Sequence, residues 1–288
     1  MTAIPTLITP QHLLEQSLGS GIELRFVDAS WYLPAAERDP VQEFQQRRIP
    51  GAVFFDIEQV VDSGTSLPHM LPSPEDFAAA MASMGIGRNT WVVAYDTAGI
   101  FSSPRLWWML RVFGHDRVSI LDGGMPEWNR AGGPLDTSAM VTPPVKAAAF
   151  DPVPPNTALL AAYDQVMAAV ECGDPKIVDA RAQGRFLGQM PEPRPGLPSG
   201  HMPGALNIPF GDVLSEGRLK SVAELDRLFD QHGIGAHSRV ITSCGSGITA
   251  CVLALALHLT GREAAVYDGS WAEWASTASA PIASPFIE

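Results

Sequence analysis

Two segments of this chain, 148 residues apart, are so alike that they align without a gap. MGIGRNTWVVAYD (84–96) matches HGIGAHSRVITSC (232–244). Three further pairs keep the same order at nearly the same spacing: FVDAS (26–30) with IVDAR (177–181), RIPGAVFFD (48–56) with HMPGALNIP (201–209), and LDGGMPEW (121–128) with YDGSWAEW (267–274). Four matched pairs in one order indicate a tandem duplication. The chain is therefore expected to fold as two similar domains.

The length and one proline-rich stretch set the expected domain boundaries. A chain of 288 residues suits two domains of ordinary size better than one. The stretch DTSAMVTPPVKAAAFDPVPPNT (136–157) is rich in proline and alanine, which is typical of an extended linker. We therefore predict a first domain over 1–138, a linker over 139–157 and a second domain over 158–288.

Within each copy, strand-like and helix-like segments alternate. In the second copy, KIVDA (176–180) and RVITS (239–243) are short runs typical of buried strands. VAELDRLFDQHGI (222–234) has helical spacing, and ACVLALALHLTG (250–261) is an apolar helix that Gly261 would end. Short apolar strands separated by helices predict an α/β fold with a mostly parallel sheet, flanked by helices, in each domain.

The composition excludes several classes of function. Hydrophobic residues make up 46% and charged residues 17%, which is enough apolar material for buried cores. The formal net charge of −12 argues against a nucleic-acid partner. No apolar run is long enough to span a bilayer, and the start of the chain lacks a signal-peptide pattern. Three cysteines do not make a disulfide framework, so a reducing, cytoplasmic location is expected.

One of the cysteines lies where a strand is expected to turn into a helix. CGSGITA (244–250) stands between RVITS and the apolar helix, and its two glycines let the backbone curl so that several N–H groups converge. The positive end of the helix dipole faces the same point. A thiol placed there should have a lowered pKa and react as the thiolate. We expect Gly245, Ser246, Gly247, Ile248 and Thr249 to cradle a second sulfur bound to Cys244.

The first copy and the other cysteines serve as internal comparisons. Asp96 occupies the position that matches Cys244, and a carboxylate cannot accept sulfane sulfur, so only the second copy is expected to be catalytic. Cys251 falls on the apolar helix and Cys172 in a polar turn, and both are interpreted as structural. Arg105 is followed by Trp107 and Trp108, which we interpret as core or interface packing. Asp179 and Arg181 are interpreted as an ion pair at a strand end, without a chemical role.

At these residues the chain resembles the rhodanese superfamily. The resemblance rests on tandem domains, a cysteine loop in the second, and PGA and G-x-x-x-E-W blocks in both, and it covers essentially the whole chain. Within the superfamily, thiosulfate-using members typically carry two basic residues after the cysteine. The branch that uses 3-mercaptopyruvate carries C-G-S-G-[VI]-T-A, the form found here. The resemblance implies two rhodanese-like domains and an enzyme that transfers sulfur from 3-mercaptopyruvate.

The resemblance also implies further site residues. It places two substrate arginines at Arg185 in GRFLG and Arg194 in PEPRPG, and forked guanidinium donors suit the carboxylate and ketone of a 2-oxo acid. It further implies that a first-domain histidine, His69, and an acidic neighbour join Ser246 across a cleft between the domains. By spacing the acidic residue is Glu58.

Asp56 and Asp62 are nearby alternatives to Glu58 as the acidic partner. No metal or organic cofactor is expected, because no metal-ligand spacing is visible. The expected acceptors of the sulfur are a small thiol, thioredoxin or cyanide.

Three other functions compete with mercaptopyruvate sulfur transfer. A thiosulfate sulfurtransferase is the nearest, and the uncharged loop argues against it. A cysteine phosphatase or arsenate reductase would need an arginine near the end of the loop, where Thr249 and Ala250 stand. A non-catalytic persulfide carrier would not need the two arginines. Pyruvate release separates the enzyme from the carrier.

Overall fold

The computed structural model describes residues 4–15, 23–139 and 148–284. These residues form two compact units. The first takes the described residues up to Asp62, together with Leu71–Asn156 and Glu216–Arg218. The second takes Ser63–Met70, Thr157–Ser215 and the residues from Leu219 onward. Each unit therefore includes one short segment from the other half of the chain.

In the first unit, the described residues form a five-stranded parallel sheet. Its strands are Leu7–Ile8 (β1), Leu24–Asp28 (β2), Val53–Phe54 (β3), Trp91–Tyr95 (β4) and Val118–Leu121 (β5). The order across the sheet is β1-β5-β4-β2-β3, and the paired strands run parallel. All five residues of the central strand β4 are buried, as expected for a strand covered on both faces.

Helices flank this sheet. They are Pro10–Glu15 (α1), Pro40–Gln46 (α2), Pro74–Ser83 (α3), Ser103–Val112 (α4) and Gly124–Arg130 (α5), with a short 3-10 helix at Pro34–Ala36. The start of α3 shows why the helix begins there, since Ser73 accepts a hydrogen bond from the Asp76 N–H and proline occupies the first helical position. The loop 96–102 joins β4 directly to α4.

The second unit repeats the same sheet. Its strands are Leu160–Ala161 (β6), Lys176–Asp179 (β7), Leu206–Asn207 (β8), Val240–Ser243 (β11) and Ala264–Tyr267 (β12). Separate from this sheet, Leu214–Ser215 (β9) and Arg218–Leu219 (β10) form a two-stranded ribbon. The order β6-β12-β11-β7-β8 matches the first sheet strand for strand, and the pairs are again parallel. The predicted α/β fold with two similar parallel-sheet domains is confirmed.

The helices of the second unit follow the predicted pattern. They are Tyr163–Cys172 (α6), Gln183–Phe186 (α7), Val222–Gln231 (α8), Ala250–Leu259 (α9) and Ser270–Ser276 (α10), with a 3-10 helix at Phe210–Val213. The first eight residues of α9 are buried, and Gly261 follows the helix at φ +72°. Across the described ranges, no helix combines the length and the apolar character that crossing a membrane requires.

The predicted linker over 139–157 is described in part, since 140–147 lie outside the described residues. Residues 148–156 belong to the first unit. There Phe150 packs edge-on against Phe77, and the Asn156 N–H donates to the Val112 carbonyl. This stretch therefore contributes to the core of the first unit. The domain boundaries stay a prediction.

Candidate active site

Cys244 lies at the carboxyl end of the central strand β11, in the loop 244–249 that leads into α9. Its side chain is almost fully buried. Gly247 adopts φ +78°, a left-handed conformation that favours glycine and turns the loop back toward the strand end. The predicted junction of strand, glycine loop and helix is therefore present.

The start of α10 holds this loop from one side. The Ser270 Oγ accepts hydrogen bonds from the N–H groups of Cys244 and Gly247, each at 3.1 Å, and donates to the Tyr267 carbonyl at 2.8 Å. The N–H groups of Trp271 and Ala272 donate to the carbonyls of Cys244 and Gly245, each at 3.0 Å. Four hydrogen bonds thus hold residues 244–247 of the loop against the first turn of α10.

Sequence reasoning missed Ser270. The signal that could have found it is the difference between DGGM (122–125) and DGSW (268–271) in the repeat. Ser270 is buried and has φ +49°, a conformation that glycine tolerates and that Gly124 adopts at φ +55° in the first copy. A serine held there against its backbone preference is typical of a functional constraint.

Cys251 contributes to the loop from the other side. Its thiol is buried and donates to the Gly247 carbonyl at 3.1 Å. All three cysteines have free thiols, and Cys172 is exposed at the end of α6. The contact of Cys251 is with the backbone of the loop, in keeping with the structural role expected for it.

His69 contacts the cysteine loop within the second unit. Its segment, Ser63–Met70, belongs to that unit although it lies in the first half of the sequence. The His69 Nδ1 lies 2.9 Å from the Ser246 Oγ and 3.2 Å from the Ser246 carbonyl oxygen. Both side chains are buried, and His69 has φ +62°. The histidine can exchange a proton with the serine hydroxyl through this contact.

Glu58 belongs to the first unit. Its Oε1 accepts a hydrogen bond of 2.5 Å from the Trp31 indole N–H, and its own N–H donates to the Asp56 Oδ1 at 2.9 Å. The Trp31 ring is stacked on Phe101. These contacts fix the carboxylate of Glu58, whose partnership with His69 stays a prediction.

Arg185 lies against the cysteine loop. It is on the short helix α7, and its Nη2 is 3.0 Å from the point that a Cβ on Gly245 would occupy. A side chain at position 245 would therefore displace the guanidinium, which explains the glycine next to Cys244. Arg194 lies farther along the same polypeptide stretch and is half-buried. Substrate binding by the two arginines stays a prediction.

A buried cluster of charged groups lies behind Arg185. The predicted Asp179–Arg181 ion pair is confirmed, with the Arg181 Nη2 2.7 Å from the Asp179 Oδ2. Burial alone would lower the pKa of Arg181, but the carboxylates of Asp179 and Glu192 outweigh it and raise that pKa. Glu192 forms ion pairs with both Arg181 and Arg185. Sequence reasoning missed Glu192, although PEPR (191–194) contains it.

The equivalent loop in the first unit is filled by its own carboxylate. Asp96, which matches Cys244, accepts hydrogen bonds from the N–H groups of Ala98, Phe101, Ser102 and Ser103 at 2.9–3.0 Å, and from the Ser103 hydroxyl. Burial raises the pKa of Asp96, while these donors oppose the rise. This loop therefore converges its N–H groups on one anionic side chain.

The tryptophans that follow this loop pack in the first unit. Trp107 and Trp108 are both buried, and the Arg105 guanidinium lies 4.5 Å from the Trp108 ring centre. Their predicted packing role is confirmed.

Comparisons with known proteins agree with this arrangement. A family model described as "Rhodanese-like domain" matches residues 13–131 and 162–277. The human 3-mercaptopyruvate sulfurtransferase is 44% identical over 260 residues, covering 88% of this chain and 86% of that protein. The Arabidopsis thaliana thiosulfate/3-mercaptopyruvate sulfurtransferase 2 is 42% identical over 288 residues, covering 93% and 84%. The crystal structure of Escherichia coli SseA, described among 3-mercaptopyruvate sulfotransferases, has a TM-score of 0.82 at 38% identity, covering 92% of this chain and 98% of that one.

Proposed function

The chain belongs to the rhodanese family and is a sulfurtransferase of the 3-mercaptopyruvate type, and we propose that Cys244 carries the transferred sulfur as a persulfide. The observation that carries this proposal is the position of Arg185. Its guanidinium lies against Gly245, one residue from the thiol, where it can bind the carboxylate of a donor whose sulfur faces Cys244.

In the first half-reaction, the Cys244 thiolate attacks the sulfur of 3-mercaptopyruvate. A sulfur–sulfur bond forms, the carbon–sulfur bond breaks, and its electron pair leaves as the enolate of pyruvate. Arg185 and Arg194 would bind the carboxylate and the ketone oxygen and so stabilise the charge that develops on the enolate. Protonation of the enolate carbon gives pyruvate.

The contact between His69 and Ser246 supplies a proton route. The donor thiol has to lose its proton as its sulfur is transferred, and we propose that the Ser246 hydroxyl accepts it. With 2.9 Å between the Ser246 Oγ and the His69 Nδ1, the proton can pass on to the imidazole. Glu58 is proposed as the acidic group that completes this relay.

The first-unit loop supports a specific cradle for the persulfide. Its N–H groups at Ala98, Phe101 and Ser102 point at the Asp96 carboxylate. At the offset of 148 residues, the equivalent groups belong to Ser246, Thr249 and Ala250. We propose that these groups stabilise the negative charge on the outer sulfur of the Cys244 persulfide.

In the second half-reaction, the outer sulfur passes to a nucleophilic acceptor and the Cys244 thiolate is regenerated. Two half-reactions separated by a covalent intermediate predict ping-pong kinetics. Thioredoxin, small thiols and cyanide are the proposed acceptors, and a reducing cytoplasm is the proposed location because the free thiols have to persist.

Thiosulfate is the second candidate donor, because the Arabidopsis relative is named for both donors. Thiosulfate is a dianion, and members of the superfamily that use it typically carry two basic residues directly after the cysteine. The loop next to Cys244 is uncharged, with Gly245 and Ser246 in the two positions after the cysteine. We therefore expect mercaptopyruvate to be the better donor when the two are compared at equal concentration.

The decisive experiment follows sulfur and pyruvate together. Intact-protein mass spectrometry after mercaptopyruvate treatment should show one added sulfur on Cys244, with pyruvate released in equal amount. Cys244→Ser should abolish both, while Cys172→Ser, which replaces an exposed thiol outside the loop, should leave both unchanged. Pyruvate release without sulfur on Cys244 would contradict the proposal. A Cys244 that takes no sulfur from mercaptopyruvate but gains one from a small-molecule persulfide would indicate a carrier.

A further inference from the structure

We propose that Glu192 is a positioning residue that sets the orientation of Arg185 relative to Cys244. The inference rests on the proposed function, because it assumes that Arg185 binds the donor carboxylate. It adds a residue that does not touch the substrate and acts through the arginine.

Glu192 bonds to Arg185 along one edge of the guanidinium. The Arg185 Nε donates to the Glu192 Oε1 at 3.2 Å, and its Nη2 donates to the Oε2. Two parallel bonds fix the plane of a guanidinium as well as its position. The Glu192 side chain is only 2% exposed, whereas that of Arg185 is 18% exposed, so the buried partner fixes the more accessible one.

Glu192 is itself held by a second arginine. The Arg181 Nη1 donates to the Glu192 Oε1 at 2.8 Å. Arg181 also donates through Nε and Nη2 to Asp179, and through Nη2 to the Gly200 carbonyl at 2.8 Å. Because the Arg181 side chain is fully buried and bonded on all sides, Glu192 has little freedom to move.

The cluster connects back to the cysteine through Trp271. The Arg181 guanidinium lies 4.2 Å from the centre of the Trp271 ring. The backbone N–H of Trp271 donates a hydrogen bond to the Cys244 carbonyl at 3.0 Å. The contacts therefore form a chain within the second unit, from Cys244 through Trp271, Arg181 and Glu192 to Arg185, whose guanidinium lies beside Gly245. Both the Cys244 backbone and the Arg185 guanidinium are therefore connected to the buried pair of Arg181 and Glu192.

Replacing Glu192 distinguishes its effect on the orientation of the Arg185 guanidinium from its effect on the attraction of an anionic donor. Glu192→Gln removes a negative charge beside Arg185, so attraction of an anionic donor should not weaken and KM should stay level or fall. The guanidinium is no longer clamped, so the bound donor presents its sulfur less often to Cys244. We expect kcat for mercaptopyruvate to fall about 10- to 100-fold, the loss typical of a displacement near 1 Å. Arg185→Ala should instead raise KM.

Alkylation of Cys244 by iodoacetamide tests whether the effect is confined to the arginine. This neutral reagent needs no carboxylate anchor, so its rate should stay within about twofold of wild type in Glu192→Gln. Asp174→Asn is the matched control, since it breaks an exposed ion pair with Arg239 elsewhere in the unit and should change neither rate. Glu192→Asp keeps a negative charge beside Arg181, but its side chain is one methylene shorter. It replaces Glu192→Gln if that variant does not fold. Because the shorter side chain holds Arg185 less well, Glu192→Asp should also lower kcat.

The outcomes separate the two proposals. Wild-type enzyme that releases no pyruvate and gains no sulfur on Cys244 would overturn the proposed function and this inference with it. Active wild type with kcat unchanged in both Glu192 variants would overturn only the role of Glu192. A parallel fall in kcat and in the iodoacetamide rate would overturn it as well, because the substitution would then act on the cysteine loop.

Discussion

Ser270 fixes the cysteine loop through one hydroxyl, so Ser270→Ala is a defined perturbation. The substitution leaves the buried N–H groups of Cys244 and Gly247 without their acceptor and the Tyr267 carbonyl without a donor. A buried polar group that loses its partner costs about 1–3 kcal/mol. Because alanine keeps the Cβ at φ +49°, no backbone strain is relieved. With three such groups at the lower end of this range, the expected loss of unfolding free energy is about 3 kcal/mol.

The neighbouring Ser243 provides a matched control. Its Oγ is also buried and has no hydrogen-bond partner among the described residues, so Ser243→Ala should change the unfolding free energy by less than about 1 kcal/mol. Ser270→Gly is the third variant in the comparison. It removes the same hydroxyl but also relieves about 1 kcal/mol of backbone strain. The expected order of stability is wild type and Ser243→Ala, then Ser270→Gly, then Ser270→Ala.

Urea unfolding followed by tryptophan fluorescence measures this order, because Trp271 and Trp274 lie in α10 beside the loop. Single-turnover sulfur uptake from mercaptopyruvate should be slower in both Ser270 variants and normal in Ser243→Ala. If Ser270→Ala unfolds at the same urea concentration as Ser243→Ala, the hydroxyl does not hold the loop. If Ser270→Gly is the least stable, the strain argument is wrong.

Two further predictions concern the relay and the first unit. Ser246→Ala and His69→Ala should each slow sulfur uptake about 100-fold, and the double variant should lose no more than either, because the two act as one relay; multiplied losses in single-turnover measurements would contradict this. Burial raises the pKa of Asp28 from 3.8 to about 6, so its ionisation destabilises the fold as pH rises through this range, by up to about 3 kcal/mol. Asp28→Asn should therefore raise the urea midpoint at pH 7.5 but not at pH 4, and an equal gain at both would rule out the titration of Asp28.

The repeat in the sequence predicts most of the fold. Two copies with the same order of strands and helices can reach the same sheet, and the orders β1-β5-β4-β2-β3 and β6-β12-β11-β7-β8 agree position by position. The junction at Cys244 is predicted for the same reason, because a buried strand, two glycines and an apolar helix follow one another directly. These are local signals, carried by residues adjacent in sequence.

The side-chain contacts of the site could not be predicted in the same way. Asp179 and Arg181 are two residues apart on one strand end, so their pairing was accessible from the sequence. Glu192 is separated from Arg181 by a helix and a loop, and nothing in PEPR indicates that its carboxylate points inward to two arginines. Ser270 lies 26 residues beyond Cys244, and only the folded sheet brings its hydroxyl to the loop.

The grouping of His69 with the second unit had no sequence signal either. Its segment, Ser63–Met70, contains no helix or strand and so has no periodicity to read. The position of a segment without a hydrophobic face depends on individual contacts, here the hydrogen bonds between the His69 imidazole and Ser246. A tandem repeat predicts which residues of the two copies are equivalent. It does not predict that a segment of the first copy belongs to the unit formed by the second.

The two loops differ in a way that supports sulfur transfer by the second copy only. In both, the residue after the DGG or DGS block donates its N–H to the first loop carbonyl: Met125 to Asp96 in one copy, and Trp271 to Cys244 in the other. In the first copy, a Cβ on Gly124 would come within 2.3 Å of the Asp96 carbonyl oxygen, so a serine cannot replace it.

A different set of loop N–H groups, including those of Phe101 and Ser102, donates to the Asp96 carboxylate in the first copy, and this carboxylate fills the space that a bound anion would need. In the second copy, Ser270 satisfies the N–H groups of Cys244 and Gly247 from outside the loop. The loop CGSGITA (244–250) contains no carboxylate that could fill this space. A persulfide on Cys244 can therefore take the place that a carboxylate holds permanently in the first copy.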